Sequence, residues 1–81
     1  MRLHTQFDPR GPVTFIVTGA VTAACISELD YVFGAARRLG KMIRVDLSRA
    51  TDIDRTSLKY LADQSADVTV VYRTAAANRP G

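Results

Sequence analysis

Hydroxyl and carboxylate side chains gather in one short stretch, Asp54-Arg55-Thr56-Ser57, followed closely by Lys59 and Tyr60. Two kinds of chemistry suit it. A side-chain oxygen placed just ahead of an apolar-periodic run accepts hydrogen bonds from the free N–H groups of a helix's first turn, so Asp54, Thr56 and Ser57 suit a helix start. The same place can present a hydroxyl as a phosphoryl acceptor, and a phosphate there faces the positive end of the helix. Thr56 and Ser57 are therefore the phosphorylation candidates. Asp54, Arg55, Thr56, Ser57, Lys59 and Tyr60 form the candidate partner-binding surface, with Lys59 and Tyr60 expected on the outer face of the helix.

Other residues invite chemistry less strongly. Asp46, Asp52 and Asp54 offer oxygen ligands of the kind Mg²⁺ takes, but no further ligand is spaced to help, and loop carboxylates commonly serve as caps and turn formers. Neither a metal nor a cofactor is expected. Cys25 falls in the first turn of a helix, where the dipole can lower a thiol pKa; as a small apolar side chain it also suits the core, which is the expectation here. His4, on the polar side of an edge strand, has no nucleophile at catalytic spacing. With no glycine-rich phosphate loop and no nucleophile elbow, the residues point away from an enzyme.

At 81 residues the chain has room for one domain, and folding at that size hides roughly 60% of the surface, a thin core. Its 47% hydrophobic and 23% charged residues match ordinary globular usage, which sets disorder aside. The single cysteine excludes an internal disulfide and fits a reducing compartment. No apolar stretch is long enough to span a bilayer or to act as a signal peptide, so a cytoplasmic location is expected. The net charge of +3 is concentrated between Arg37 and Lys59. Arg37 and Arg38 suit a helix C-terminus, however, and no basic-aromatic motif accompanies them, so no nucleic-acid partner is expected.

The elements that must position these groups follow from periodicity. Leu3, Thr5 and Phe7 alternate with polar neighbours as a first strand, a Pro/Gly-rich turn follows over residues 8–12, and Val13–Thr18 is a second strand closed by Gly19. From a Thr22 N-cap, Ile26, Leu29, Val32, Phe33, Ala36 and Leu39 recur at helical spacing, with Gly40 as the left-handed residue after the helix. Ile43, Val45 and Leu47 mark a third strand that ends in a loop over residues 48–53. Leu58, Leu61, Ala62 and Ser65 mark the inner face of a second helix, and Val68–Tyr72 is a fourth strand. Residues 1–72 then form the domain and 73–81 a tail.

Helical crossovers make strands two, three and four parallel, and the hairpin makes strand one antiparallel. The expected α/β fold is thus a four-stranded mixed sheet in order 1-2-3-4. Apolar residues fall on one face: Leu3, Phe7, Phe15, Val45, Val70 and Tyr72 among them. The other carries His4, Gln6, Thr14, Thr18, Arg44, Asp46, Thr69 and Arg73, relieved by Ile16, Met42 and Val71. Both helices should therefore cover the same side. The uncovered face and an exposed last strand suggest a weak homodimer.

The segment Arg44-Val45-Asp46-Leu47-Ser48 through Asp54-Arg55-Thr56-Ser57-Leu58 resembles the STAS domain, the module of anti-sigma-factor antagonists and of sulfate-transporter tails. That family has a strand ending in Asp-Leu-Ser, a short loop, and Asp-Ser-Ser-Gly-Leu opening a helix. Phe15-Ile16-Val17-Thr18-Gly19-Ala20 is similar to its second strand and exit, and the resemblance runs from about Leu3 to Tyr72. Thr56 takes the position of the family's phosphorylated serine, while Ser57 replaces the glycine and Arg55 the first serine. The chain is also shorter than family members that add a further strand and C-terminal helix. The resemblance implies a regulatory protein-binding module, an anti-sigma-factor antagonist switched by an anti-sigma factor kinase at the start of helix two. It equally implies, as an alternative, an unphosphorylated accessory subunit of a bacterial transport complex. A small-ligand binder using the loops after strands two and three is the third reading.

Overall fold

A computed structural model describes residues 1–72; the expected tail over 73–81 lies outside the described residues. Five strand-forming residues, Arg2–Gln6 (β1), pair antiparallel with Val13–Val21 (β2), with His4 opposite Ile16. A 3₁₀ turn over Ala23–Cys25 leads into Ile26–Arg38 (α1), and the chain returns as Ile43–Ile53 (β3), parallel to β2. Arg55–Ala62 (α2) then leads to Val68–Val71 (β4), parallel to β3. The sheet order is β1-β2-β3-β4, an α/β fold with the expected topology.

The alternation explains where the core lies. Val13, Phe15, Val17 and Val21 of β2 and Ile43, Val45 and Leu47 of β3 are buried on one side, together with Leu29, Phe33 and Ala36 of α1 and Leu61 of α2. Because one cluster takes residues from both helices and from only one side of the strands, both helices cover the same face. Arg44 is exposed on the other. At this core's centre Phe33 is fully buried, with its ring centroid 6.0 Å from that of Phe15 and 6.2 Å from that of Tyr60.

α1 ends where its sequence dictates. Gly40 has φ +70° and donates from N to the Arg37 carbonyl at 2.9 Å, while the Lys41 N–H reaches the Ala36 carbonyl at 3.1 Å. These are the two crossed bonds of a Schellman turn, which needs a residue free to enter the left-handed region.

Several local expectations are corrected. β3 does not stop at Leu47: it continues beside β2 to Ile53, with register shifts between Ile16 and Thr18 and between Gly19 and Ala20. Each shift places one extra residue in β3, so Ala50 and Ile53 return to the core side three positions apart instead of two. Thr22 makes no side-chain cap; its Oγ1 lies 3.9 Å from Cys25 Sγ, and the half-buried Cys25 occupies the N-cap position of α1. Phe7 lies beyond β1 and is 60% exposed, with Lys41 Nζ 4.8 Å from its ring centroid. Tyr72 is half exposed, on a groove that it shares with Leu58.

α2 is also turned by one position from the expected face. Ser57 and Leu61 are its buried residues, while Leu58 is 40% exposed and Ala62 is exposed. Tyr60, expected outside, lies half-buried in the seam between the helices, stacked on Phe33 and donating its hydroxyl to Asp30 Oδ1 at 3.0 Å. Desolvation, reinforced by the Asp30 hydrogen bond, pushes the Tyr60 phenol up to about 12.

The loop between α2 and β4 is tied back to α1 by Arg37. Its Nε donates to Asp67 Oδ2 at 2.8 Å and its Nη2 to Gln64 Oε1 at 3.1 Å. The Arg37 guanidinium, with help from the Ser65 hydroxyl, holds the Asp67 carboxyl down at about 2. A lowered carboxyl pKa stabilises the fold at pH values above the unfolded value of about 4, and that stabilisation disappears as pH falls through the folded value. Thermal melts across pH 2 to 5 should therefore show a shallower loss of stability on acidification for Asp67→Asn than for the wild type. Equal slopes would show that this pair does not couple folding to protons.

Candidate functional site

The sequence candidates converge at the carboxyl ends of β2 and β3, where the chain leaves each strand for a helical turn. Asp54 is the joint between them. Its backbone N–H donates to the Val21 carbonyl at 3.0 Å, which continues the β2–β3 ladder one residue past β3, and its carbonyl accepts from the Leu58 N–H at 3.0 Å, the first turn of α2. The carboxylate serves both crossovers. Oδ1 accepts from the Ser57 N–H at 2.8 Å, capping α2, and Oδ2 accepts from the Ala23 N–H at 2.9 Å, capping the 3₁₀ turn that opens α1. The Ser57 hydroxyl and then the Ser57 N–H, with a smaller contribution from the Ala23 N–H, hold the Asp54 carboxyl below its usual value.

Ser57 itself is sealed, with no exposed surface. Among the described residues its Oγ makes no hydrogen bond of acceptable geometry, so its influence on Asp54 is that of a nearby dipole, whereas the N–H makes the bond. A phosphoryl donor has no access to a hydroxyl so placed. Thr56, one residue earlier, is exposed in the first turn of α2 beside the exposed Arg55. The two candidate acceptors are therefore separated by burial, and Thr56 is the reachable one.

The remaining candidates divide in the same way. Lys59 is exposed and pairs with Asp63 Oδ2 at 3.0 Å, an i,i+4 pair open to solvent and worth little. Tyr60 belongs to the helix seam and leaves the outer surface of α2 to Arg55, Thr56, Leu58 and Lys59. Leu58 borders an open groove of about 340 Å³ shared with Leu47, Ala50, Ile53 and Tyr72. Sequence periodicity assigns Leu58 to the core; the structure buries Ser57 in its stead and leaves Leu58 at the surface. The groove lies at the carboxyl end of β3, where open α/β sheets present their loops.

The acidic residues do not converge. Asp46 Oδ1 accepts from the Ser48 N–H at 2.9 Å on the first irregular stretch of β3, Asp54 is committed to its two caps, and Asp52 is exposed. Among the described residues no group of three or more His, Cys, Asp or Glu side chains is placed to hold a metal ion. Within the same residues no helix is long and apolar enough to cross a membrane. Comparison of the chain with protein-family models, with curated proteins and with solved structures finds no match.

The orphaned Ser57 hydroxyl has a measurable consequence. A buried hydroxyl whose favourable contact is only the field of the Asp54 carboxylate regains little of its desolvation cost, and alanine removes that donor without adding bulk. Ser57→Ala should fold with stability equal to or up to about 1 kcal/mol above the wild type in urea unfolding. A loss of more than about 1 kcal/mol would mean that the hydroxyl makes a bond that stabilises the helix start.

Proposed function

We propose that this chain is a STAS-like regulatory module, not an enzyme, that binds a protein partner through the outer surface of α2 and is switched by phosphorylation of Thr56. The observation that carries this reading is the contrast at the start of α2: Thr56 is exposed, Ser57 is fully buried, and Asp54 fixes the turn beneath both. The partner surface comprises Arg55, Thr56, Leu58 and Lys59, with the groove beside Leu58 as its apolar border. The partner class is an anti-sigma factor kinase in a cytoplasmic signalling pair, which brings ATP and Mg²⁺. This chain brings the hydroxyl.

In the transfer step Thr56 Oγ1 forms a bond to the γ-phosphorus of ATP as the bond from that phosphorus to the β,γ-bridging oxygen breaks. ADP leaves, and the threonine proton passes to a base of the kinase. The product carries about −1.5 to −2 charges at pH 7. In the free protein this charge faces the positive end of α2 and neighbours Arg55, so the fold accommodates it despite the Asp54 carboxylate nearby. Inside a packed interface the same charge loses its water, and with Arg55 engaged by the partner it is left uncompensated, at a cost of several kcal/mol, so the complex separates.

Incubation of the protein with a candidate anti-sigma kinase and Mg²⁺-ATP, followed by mass spectrometric mapping, should place phosphate on Thr56. Thr56→Ala should bind the kinase and take no label, and Thr56→Asp should keep the wild-type melting curve while binding at least tenfold more weakly, a change of about 1.4 kcal/mol. Label on Ser57 or on another residue defeats the switch. Stable binding to a transporter subunit with no label favours the accessory-subunit reading.

A further inference from the structure

The side of the sheet away from the helices is organised in rows. Cross-strand partners place Arg2, Thr18 and Arg49 in one row, His4, Ile16, Asp46 and Val71 in the next, and Gln6, Thr14, Arg44 and Thr69 in the third. Neither described helix covers this face, because all the buried side chains of α1 and α2 pack on the other one. Ile16 and Val71 are half-buried there by their strand neighbours alone, and Met42 is 54% exposed at the start of β3. Parallel strands are normally covered on both faces, and β2, β3 and β4 are parallel.

Charge selects what can cover it. Arg2, Arg44 and Arg49 are all exposed, and among the described residues none of them is in an ion pair. The one carboxylate in the rows is Asp46, held below its ordinary value first by the Ser48 hydroxyl and N–H and then by Arg44 and Arg49, which both stand near it. Three guanidinium groups therefore flank a middle row in which Ile16 and Val71 stand on either side of Asp46. A second copy brings like charges to the same place, which opposes face-to-face pairing. Nucleic acid fits poorly too: these rows hold no Phe, Tyr or Trp as a stacking platform for a base, and Ile16 and Val71 ask for an apolar partner.

We infer that this face docks an acidic amphipathic helix of a partner protein, laid along β2 and β3, with its apolar residues on Ile16 and Val71 and its carboxylates on Arg44 and Arg49. The spacing agrees. Arg44 and Arg49 are separated by four ladder steps plus one bulged residue, about 13 Å at ~3.3 Å per step. A helix covers ~13 Å in eight or nine residues at 1.5 Å each, so carboxylates about eight apart, with an apolar residue midway, match the rows. Arg2, in the same row as Arg49, offers a third cation to the flank of such a helix. This surface lies across the sheet from α2, so it is independent of the Thr56 switch.

The test uses the 81-residue chain and a synthetic amphipathic helical peptide with glutamates eight residues apart and a leucine midway, alongside its lysine counterpart. Binding is followed by fluorescence anisotropy and by amide shifts in ¹⁵N spectra. The acidic peptide should bind, shift the amides of Ile16, Arg44, Asp46, Arg49 and Val71, and lose about tenfold in affinity to the variant Arg44→Glu/Arg49→Glu, as reversal of two exposed pairs implies. That variant should gain affinity for the lysine peptide. Arg44→Gln serves as a milder variant with an intermediate loss, and Thr56→Asp should leave binding unchanged. Shifts confined to α1 or α2, equal affinity for the two peptides, no binding, or displacement of the acidic peptide from this face by a thymidine oligonucleotide would each overturn the inference.

Discussion

The carboxylate of Asp54 holds two crossovers at once, and the shape of the candidate site depends on it. One oxygen ends on the Ser57 N–H, three residues on, and the other on the Ala23 N–H, 31 residues back. With its own N–H on the Val21 carbonyl, the residue fixes the angle at which α2 leaves β3 and the place where the 3₁₀ turn leaves β2. Both turns lie at the same edge of the sheet, because β2 and β3 are parallel and end together at Val21 and Ile53. Ser57 is drawn inward as the residue whose N–H is capped, and Thr56 is left outward. The exposed hydroxyl is thus a consequence of the cap, not a separate device.

The helices are held to one another by a mixed seam. Phe33 supplies the apolar part, between Phe15 below and Tyr60 alongside. Polar groups close its rim: Tyr60 on Asp30, and Arg37 on Asp67 and Gln64. The Arg37 guanidinium also stands 6.0 Å from the Phe33 ring centroid. A core of this modest size gains from such contacts, because each joins elements far apart in the chain and satisfies groups that the thin apolar layer leaves near its edge. Among the described residues the opposite face has no comparable cover, and Arg2, Arg44 and Arg49 are exposed on it.

Much of this was legible in the sequence, and the failures share a physical cause. Val13, Phe15 and Val17, and Ile43, Val45 and Leu47, alternate strictly, so the sheet face and the side taken by both helices could be read directly. Beyond Leu47 the inward residues are Ala50 and Ile53, three apart, because bulged residues break the period of two; a strand with that spacing reads as a loop. The face of α2 reads one position off in the sequence because its buried position holds a serine while a leucine lies one residue later on the surface. The Asp54 cap on Ser57 is visible as local spacing. Its second bond, to Ala23, has no local signal, since only the parallel pairing of β2 with β3 brings the residues together.

Amide hydrogen exchange in Asp54→Ala tests the central claim most directly. If one carboxylate holds both junctions, the Ala23 and Ser57 amides, both hydrogen-bonded to it, should be protected in the wild type and lose protection together in the variant, while those of Phe15 and Val45 in the sheet centre keep theirs. Loss of protection at Ser57 with Ala23 unchanged would contradict the account, leaving Asp54 as the cap of a single helix.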